Sequence, residues 1–252
     1  MAGLPFSSPA IQRRAASILK EIGADPRYLT LLADLTTLGE RCRFALAREG
    51  ALAARYLDLP FAAVSFYGEG AGLREALSGV LAEGERCYAL VAEAQQAQLE
   101  GAVHVLDVAL EWQMPYAGER STLDPGEAVP LASSDLPAVK ALVERSVVHA
   151  FDPGVLEMGP HFGVWRDGRL VSMAGTRLLV DAIGEIGNVV TDPDYRRRGL
   201  ARMGVAATTR ALLDTGRRVL LHVFCSNAGA LALYEQLGYR CERTMYLVHF
   251  HL

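Results

Sequence analysis

The segment Glu185–Ala201 constrains the fold of this chain more than any other part of it. Glu185–Thr191 is a mostly apolar run typical of a buried strand, and Asp192–Gly199 is a basic loop that contains a proline. Helical spacing of apolar residues begins at Leu200, directly after the loop. A buried strand that passes through a short loop into a helix predicts a fold with strands and helices on one sheet.

The surrounding sequence alternates between the two kinds of element. Asp167-Gly168 is a strong hairpin signal between two apolar runs, so the sheet contains antiparallel strands. We predict a mixed α/β fold (α+β), mostly antiparallel and flanked by helices. The predicted strands are His161–Trp165, Arg169–Ala174, Glu185–Thr191, Val219–Phe224 and Met245–Phe250, and the predicted helices are Leu200–Leu213 and Asn227–Leu237.

The first half of the chain repeats this order of elements. Between Phe61 and Met114, a strand, a glycine-rich turn, a helix, a strand, a short helix and a long strand follow one another. The chain is long enough for two domains, and Pro115–Gly126 has the composition of a linker. We therefore predict a degenerate copy of the fold in residues 1–120 and the functional domain in residues 127–252.

Composition excludes several classes of function. The net charge of −4 and the pI of about 5.9 do not provide the basic surface of a nucleic-acid or anionic-membrane binder. The chain has neither an apolar leader at its start nor an apolar run long enough to span a membrane, so we expect a cytoplasmic protein. The four cysteines lack metal-ligand spacing, so we expect reduced thiols and no metal.

The basic loop has the features of an anion-binding site. A helix N-terminus exposes unpaired N–H groups and a partial positive charge, and Gly199 lets a phosphate approach them. Arg196, Arg197 and Arg198 add positive charge. The same arginines could instead be a solvated surface run. The glycines at 68, 70 and 72 follow a predicted strand and suggest a second possibility, a dinucleotide-binding loop. We do not favour it, because the glycine spacing differs from that of such loops and Glu69 would repel phosphate.

Two motifs resemble the GNAT family of acetyltransferases. The first is Arg196-x-x-Gly199-x-Ala201, the pattern that holds the CoA pyrophosphate in that family. The second begins at Asn227 and includes Tyr234 and the pair Gly238-Tyr239. The resemblance extends over roughly Val129–Leu252. It implies an acetyl-CoA-dependent N-acetyltransferase with the GNAT fold, in which a primary amine attacks directly in a ternary complex.

The resemblance also implies roles for individual residues. Tyr234 corresponds to the family's general acid for the CoA thiolate, and Glu185 lies near the position of a general base. Alternation along the strand predicts that Glu185 shares a face with Gly187, Val189 and Thr191. The cofactor-binding residues implied are Val189, Val190, Thr191, Arg196, Arg197, Arg198, Gly199, Leu200, Ala201, Arg202 and Asn227.

Less specific interpretations of these residues remain open. Tyr234 could be a half-buried aromatic residue, and Glu185 could be a solvated carboxylate at a strand end, with water as the base. His222 has the pattern of a core histidine. Asp152, Glu157 and His161 are candidates for an acceptor pocket that the sequence does not place.

The alternative to an enzyme is a non-catalytic acetyl-CoA-binding sensor or scaffold. An intact Tyr234 and Glu185 favour catalysis. Transfer of another acyl group also remains open. The acceptor is expected to be a small-molecule or peptide amine, and the protein a monomer or homodimer.

Overall fold

The computed structural model describes residues 3–146 and 154–252. The helices are α1 (Pro9–Ile22), α2 (Leu29–Leu35), α3 (Gly70–Ser78), α4 (Glu93–Glu100), α5 (Leu136–Ser146), α6 (Leu200–Asp214) and α7 (Ala228–Leu237). The strands are β1 (Cys42–Leu46), β2 (Leu52–Tyr56), β3 (Ala62–Tyr67), β4 (Cys87–Val91), β5 (His104–Pro115), β6 (Val129–Pro130), β7 (His161–Arg166), β8 (Arg169–Leu179), β9 (Ile183–Thr191), β10 (Arg218–Phe224) and β11 (Arg243–His251). The fold class is the one predicted, α/β with mostly antiparallel strands flanked by helices.

The chain divides into two compact units. The first consists of Met1–Glu111 and Thr244–Leu252, and the second of Trp112–Arg243. This division differs from the boundary predicted at Pro115–Gly126. Strand β5 runs without interruption from His104 to Pro115, so the division falls within a strand, and β11 pairs with β4 of the first unit. The domain boundary at Pro115–Gly126 stays a prediction.

The first unit contains a sheet with the strand order β1-β2-β3-β4-β11. Its pairs are antiparallel except β3 and β4, which are parallel and joined by α3. Helix α3 contacts β1 and β2, and the core beneath it includes Phe66, Leu73 and Leu77. The parallel pair joined by a helix is also found in the second unit. That the first half is a degenerate copy of the second stays a prediction.

The second unit contains the strands that position the candidate site. The strand order is β6-β7-β8-β9-β10, and β9 and β10 are the parallel pair, joined by α6. The end of β5 lies beside β10, where Tyr116 N donates to Val219 O at 2.8 Å. The turn between β7 and β8 has φ of 50° at Asp167 and 74° at Gly168, which confirms the predicted hairpin.

Helix α6 packs closely against one face of this sheet. A Cβ at Gly204 would lie 3.2 Å from that of Ala174, and one at Gly184 would lie 2.8 Å from the Leu212 side chain. Glycine at these positions therefore brings helix and strands close together. We name this side of the sheet the α6 face. The side chain of Glu185, which follows Gly184 on β9, lies on the opposite face.

Within residues 3–146 and 154–252, every helix is too short or too polar to cross a bilayer.

Candidate active site

A bulge in β9 determines which side chains lie on each face of the sheet. Gly175 pairs with Gly187 and Met173 pairs with Val190, so β9 contributes one more residue than β8 over this interval. Asn188 has φ of 51° there, a conformation that asparagine tolerates better than most residues. The bulge ends the alternation that the sequence predicted.

Because of this bulge, the prediction that Glu185 shares a face with the residues of β9 after Gly187 is wrong. Val189 packs against the cluster that contains Ile186 of the α6 face. Val190 instead packs with Val139 and Leu142 of α5. Because the bulge adds a residue, every side chain after it changes face relative to simple alternation.

Strands β9 and β10 separate in the same region. Their parallel pairing extends only from Ile183–Arg218 to Ile186–Leu221. Beyond these pairs β9 continues to Thr191 and β10 continues to Phe224. The edge of β9 that faces β10 therefore has main-chain groups available to an extended ligand between the two strands.

Asp192 anchors the loop that follows β9. This carboxylate is 1% exposed and accepts hydrogen bonds from Arg145 Nε at 2.8 Å, from Arg169, and from Asp194 N at 3.1 Å. Burial alone would raise its pKa, but these donors outweigh burial and lower it. The turn that leads to α6 is thus tied to α5 and β8 by one charged group.

The N-terminus of α6 is open to solvent. Gly199 has φ of 76°, and a Cβ there would meet no atom within 4 Å. Arg196 Nε donates to Thr191 O at 3.4 Å, and Arg198 Nη2 donates to Asp194 O at 2.9 Å. These bonds hold two of the three arginines against the loop, while the first-turn N–H groups of the helix point out of its end.

The remaining predicted cofactor-binding residues surround this helix end or begin α7. Arg197 and Arg202 are exposed, Ala201 is half-buried and Leu200 is buried against Val164 and Val171. Asn227 is the N-cap of α7, where its Oδ1 accepts a hydrogen bond from Ala230 N at 3.1 Å. Its observed partner is thus the helix itself.

Glu185 is buried, not the solvated carboxylate of the alternative interpretation. The residue is 1% exposed, and its Oε1 accepts hydrogen bonds from Arg177 Nη1 at 2.6 Å and His222 Nδ1 at 2.8 Å. Its other oxygen, Oε2, is buried and has no hydrogen-bond partner among the described residues. A buried carboxylate oxygen without a donor is costly, and such atoms often mark a ligand or water position.

The surroundings of Glu185 keep it ionised. Burial works to raise its pKa, but the charge of Arg177 and the contact with His222 outweigh burial and lower the pKa to about 2. The carboxylate is therefore negative throughout the neutral pH range.

A network that the sequence did not predict extends from Glu185 to β5. The His222 side chain is 5% exposed, and its Nε2 lies 3.0 Å from Gln113 Nε2. Arg177, Glu185, His222 and Gln113 lie on the neighbouring strands β8, β9, β10 and β5, and all four residues belong to the second unit. His222 is buried as expected of a core histidine, but it bonds to a candidate catalytic group. The sequence signal that could have revealed this network is a polar residue within an otherwise apolar strand, as at Arg177 and Gln113.

Tyr234 lies on α7 with its ring in the core of the second unit. It is 7% exposed and packs near Tyr239, with ring centroids 6.1 Å apart. Burial raises the pKa of Tyr234 to about 12. The Tyr239 hydroxyl is bonded to Thr209 Oγ1 at 2.7 Å, whereas no described residue forms a hydrogen bond with the Tyr234 hydroxyl.

The three acceptor-pocket candidates are placed differently. Asp152 lies outside the described residues. Glu157 is exposed at the surface before β7. His161 is 2% exposed at the start of β7, on the same face of the sheet as Glu185.

These features define a class of protein. An open, arginine-flanked helix end after a separated parallel strand pair can bind a phosphate-containing ligand, and the buried carboxylate on the same strand can take part in proton transfer, so the site has the parts of an enzyme that acts on a bound phosphate compound. Comparisons with known proteins agree with this class. Residues 161–248 match the family described as "FR47-like protein".

Relatives and a solved structure identify the family more closely. The [Ribosomal protein bS18]-alanine N-acetyltransferase of Escherichia coli (strain K12) is 33% identical over 117 residues, which is 43% of this chain and 77% of that protein. Mycothiol acetyltransferase of Thermomonospora curvata is 40% identical over 90 residues, which is 35% of this chain and 29% of that protein. A putative GNAT-family acetyltransferase structure from Novosphingobium aromaticivorans superposes with a TM-score of 0.64 at 27% identity, covering 79% of this chain and 88% of that one. The chain belongs to the GNAT family of acetyltransferases and is an acyltransferase enzyme.

Proposed function

We propose that this protein transfers an acetyl group from acetyl-CoA to a primary amine by direct attack in a ternary complex. The observation that carries the proposal is the buried, ionised Glu185, whose Oε2 has no partner among the described residues, on β9 one residue before the last pair with β10. A site that only bound acetyl-CoA would need the helix end and the strand edge. It would not need a buried carboxylate with an oxygen left without a donor.

The residues of the second unit fit acetyl-CoA. The first turn of α6 offers N–H groups and arginines to the pyrophosphate, and the absent side chain of Gly199 leaves that approach open. The unpaired edge of β9 at Val189, Val190 and Thr191 offers main-chain groups to the pantetheine arm. The bound group would supply a thioester carbonyl as the electrophile.

Glu185 holds and deprotonates the attacking amine in this proposal. Its negative Oε2 accepts a hydrogen bond from the amine and draws the amine proton away, directly or through a water, and the proton then passes to solvent because a carboxylate with a pKa of about 2 does not keep it at neutral pH. Arg177 and His222 hold Oε1, which orients the carboxylate with Oε2 toward the substrate.

Tyr234 donates a proton to the leaving thiolate, and its removal gives a separable prediction. We expect Tyr234→Phe to lower kcat by about 10- to 100-fold without changing the dissociation constant for acetyl-CoA. Tyr239→Phe is the matched control, since its hydroxyl bonds to Thr209. That variant should lose about 1 kcal/mol of stability and keep its turnover. Unchanged turnover in Tyr234→Phe would remove the proposed role.

The acceptor amine is open to direct test. One relative is named for an alanine of a ribosomal protein and another for mycothiol, so both a peptide N-terminus and a small amine are candidates here. We propose a screen with an alanine-initiated hexapeptide, spermidine, kanamycin and lysine, measuring CoA release. Acetylation of at least one member supports the proposal. Acetyl-CoA binding without turnover of any amine would favour the sensor or scaffold alternative.

A further inference from the structure

His161 is a second buried polar group on the face of Glu185. The residue is 2% exposed, and its Nδ1 lies 2.9 Å from Gly159 O. A carbonyl oxygen can only accept a hydrogen bond, so Nδ1 carries the proton of this bond. Burial lowers the pKa of His161 and keeps the ring neutral. The lone pair is therefore on Nε2.

The Nε2 atom is buried and has no hydrogen-bond partner among the residues that the structure describes. His161 follows Leu156–Pro160, a segment that is partly exposed. A buried acceptor of this kind can receive a donor from a bound molecule, and without one it carries an unsatisfied desolvation cost.

Two glycines connect His161 to the bulge of β9. His161 pairs with Gly175, and Gly175 pairs with Gly187, the residue before Asn188. A Cβ at Gly175 would collide with the imidazole, so the ring lies directly over this glycine. Neighbouring strands are about 4.8 Å apart, so the ring, which lies over Gly175, is separated from Gly187 by about one strand spacing.

We propose that His161 Nε2 accepts a hydrogen bond from the acceptor amine and positions it beside the β9 bulge. This inference rests on the proposed acetyl transfer, since it assigns the acceptor side of that site. It makes His161 a determinant of amine binding. Glu185, two residues before Gly187 on β9, remains the group that takes the proton.

Two substitutions separate this role from a structural one. His161→Asn keeps an N–H near the position of Nδ1, and so can keep the bond to Gly159, but it removes the Nε2 acceptor. His161→Gln places an amide oxygen near the position of Nε2 and gives up the bond to Gly159. If His161 has only a structural role, the Asn variant should have the kinetic constants of the wild type. If His161 binds the amine, the Gln variant should have them instead.

The experiment uses the full chain and the member of the four-amine screen that the wild type acetylates fastest. We expect His161→Asn to raise the KM for that amine about 10-fold, as the loss of one hydrogen bond would, with kcat within threefold. His161→Gln should stay within threefold in both constants. Calorimetric titration of the same amine into the CoA complex should show the same order of dissociation constants.

Other outcomes overturn the inference. The inference is rejected if the His161→Asn variant binds acetyl-CoA normally and keeps the wild-type KM for the amine. If that variant fails to bind acetyl-CoA, Gly175→Ala decides, because its Cβ displaces the ring without removing it. An unchanged KM in Gly175→Ala would reject the proposal. A wild type that acetylates none of the four amines would instead refute the proposed function, and this inference with it.

Discussion

Replacing Glu185 with glutamine lowers kcat/KM for the amine by about 10²- to 10⁴-fold, the range of a lost general base. The amide keeps an oxygen for Arg177 and His222 and nearly the same volume, so the fold is retained. It removes the negative charge that attracts the amine and receives its proton. The measurement is steady-state kinetics at saturating acetyl-CoA.

The matched control for this change is Glu144→Gln. Glu144 is an exposed carboxylate on α5, and its replacement should leave both kinetic constants unchanged. Acetyl-CoA should bind to both variants as to the wild type. A Glu185→Gln enzyme within threefold of the wild type would show that water alone is the base.

Replacing Asp192 with alanine lowers the free energy of unfolding by about 2 kcal/mol. The change removes the buried acceptor shared by Arg145 and Arg169. The arginine side chains are 32% and 44% exposed, so they can turn to water, and the loss is smaller than for a fully buried pair. Because Asp192 holds the loop before α6, acetyl-CoA should also bind more weakly. Chemical denaturation and calorimetry measure the two effects.

The pH dependence of this difference is a further part of the same prediction. The pKa of Asp192 is lower in the folded protein than its ordinary value of 3.8. Its contribution is therefore complete above pH 4 or so and is lost as the pH falls toward the folded value. The stability gap between wild type and Asp192→Ala should shrink on acidification. Asp194→Ala, an exposed change in the same loop, should have the same free energy of unfolding as the wild type. Equal stability of the Asp192→Ala and Asp194→Ala variants would contradict the stabilising role of Asp192.

The sequence predicted the fold class and most elements because local signals agree with the final structure. Helical spacing of apolar residues from Leu200 predicted α6, and Asp167-Gly168 predicted the hairpin of β7 and β8. The loop before α6 was predicted from Gly199 and its arginines. In these places the chain's own conformational preferences determine the structure.

The sequence did not predict features that depend on strand pairing between distant segments. The bulge at Asn188 has no composition signal, so Val189 was placed on the wrong face. The partners of Glu185 come from other strands, and only the assembled sheet brings His222 beside it. The same holds for β11, which pairs with β4 across most of the chain length.

The most direct test of the central claim is calorimetric titration of the wild type and Gly199→Glu with acetyl-CoA, CoA and NADH. Gly199→Ala controls for the strain of a side chain at φ of 76°, which costs about 1 kcal/mol. We predict that acetyl-CoA and CoA bind the wild type and NADH does not. Binding should persist in the alanine variant and fall at least 100-fold in the glutamate variant, since the added charge repels the pyrophosphate at the helix end. Absence of CoA binding by the wild type, or equal binding by Gly199→Glu, would contradict the account.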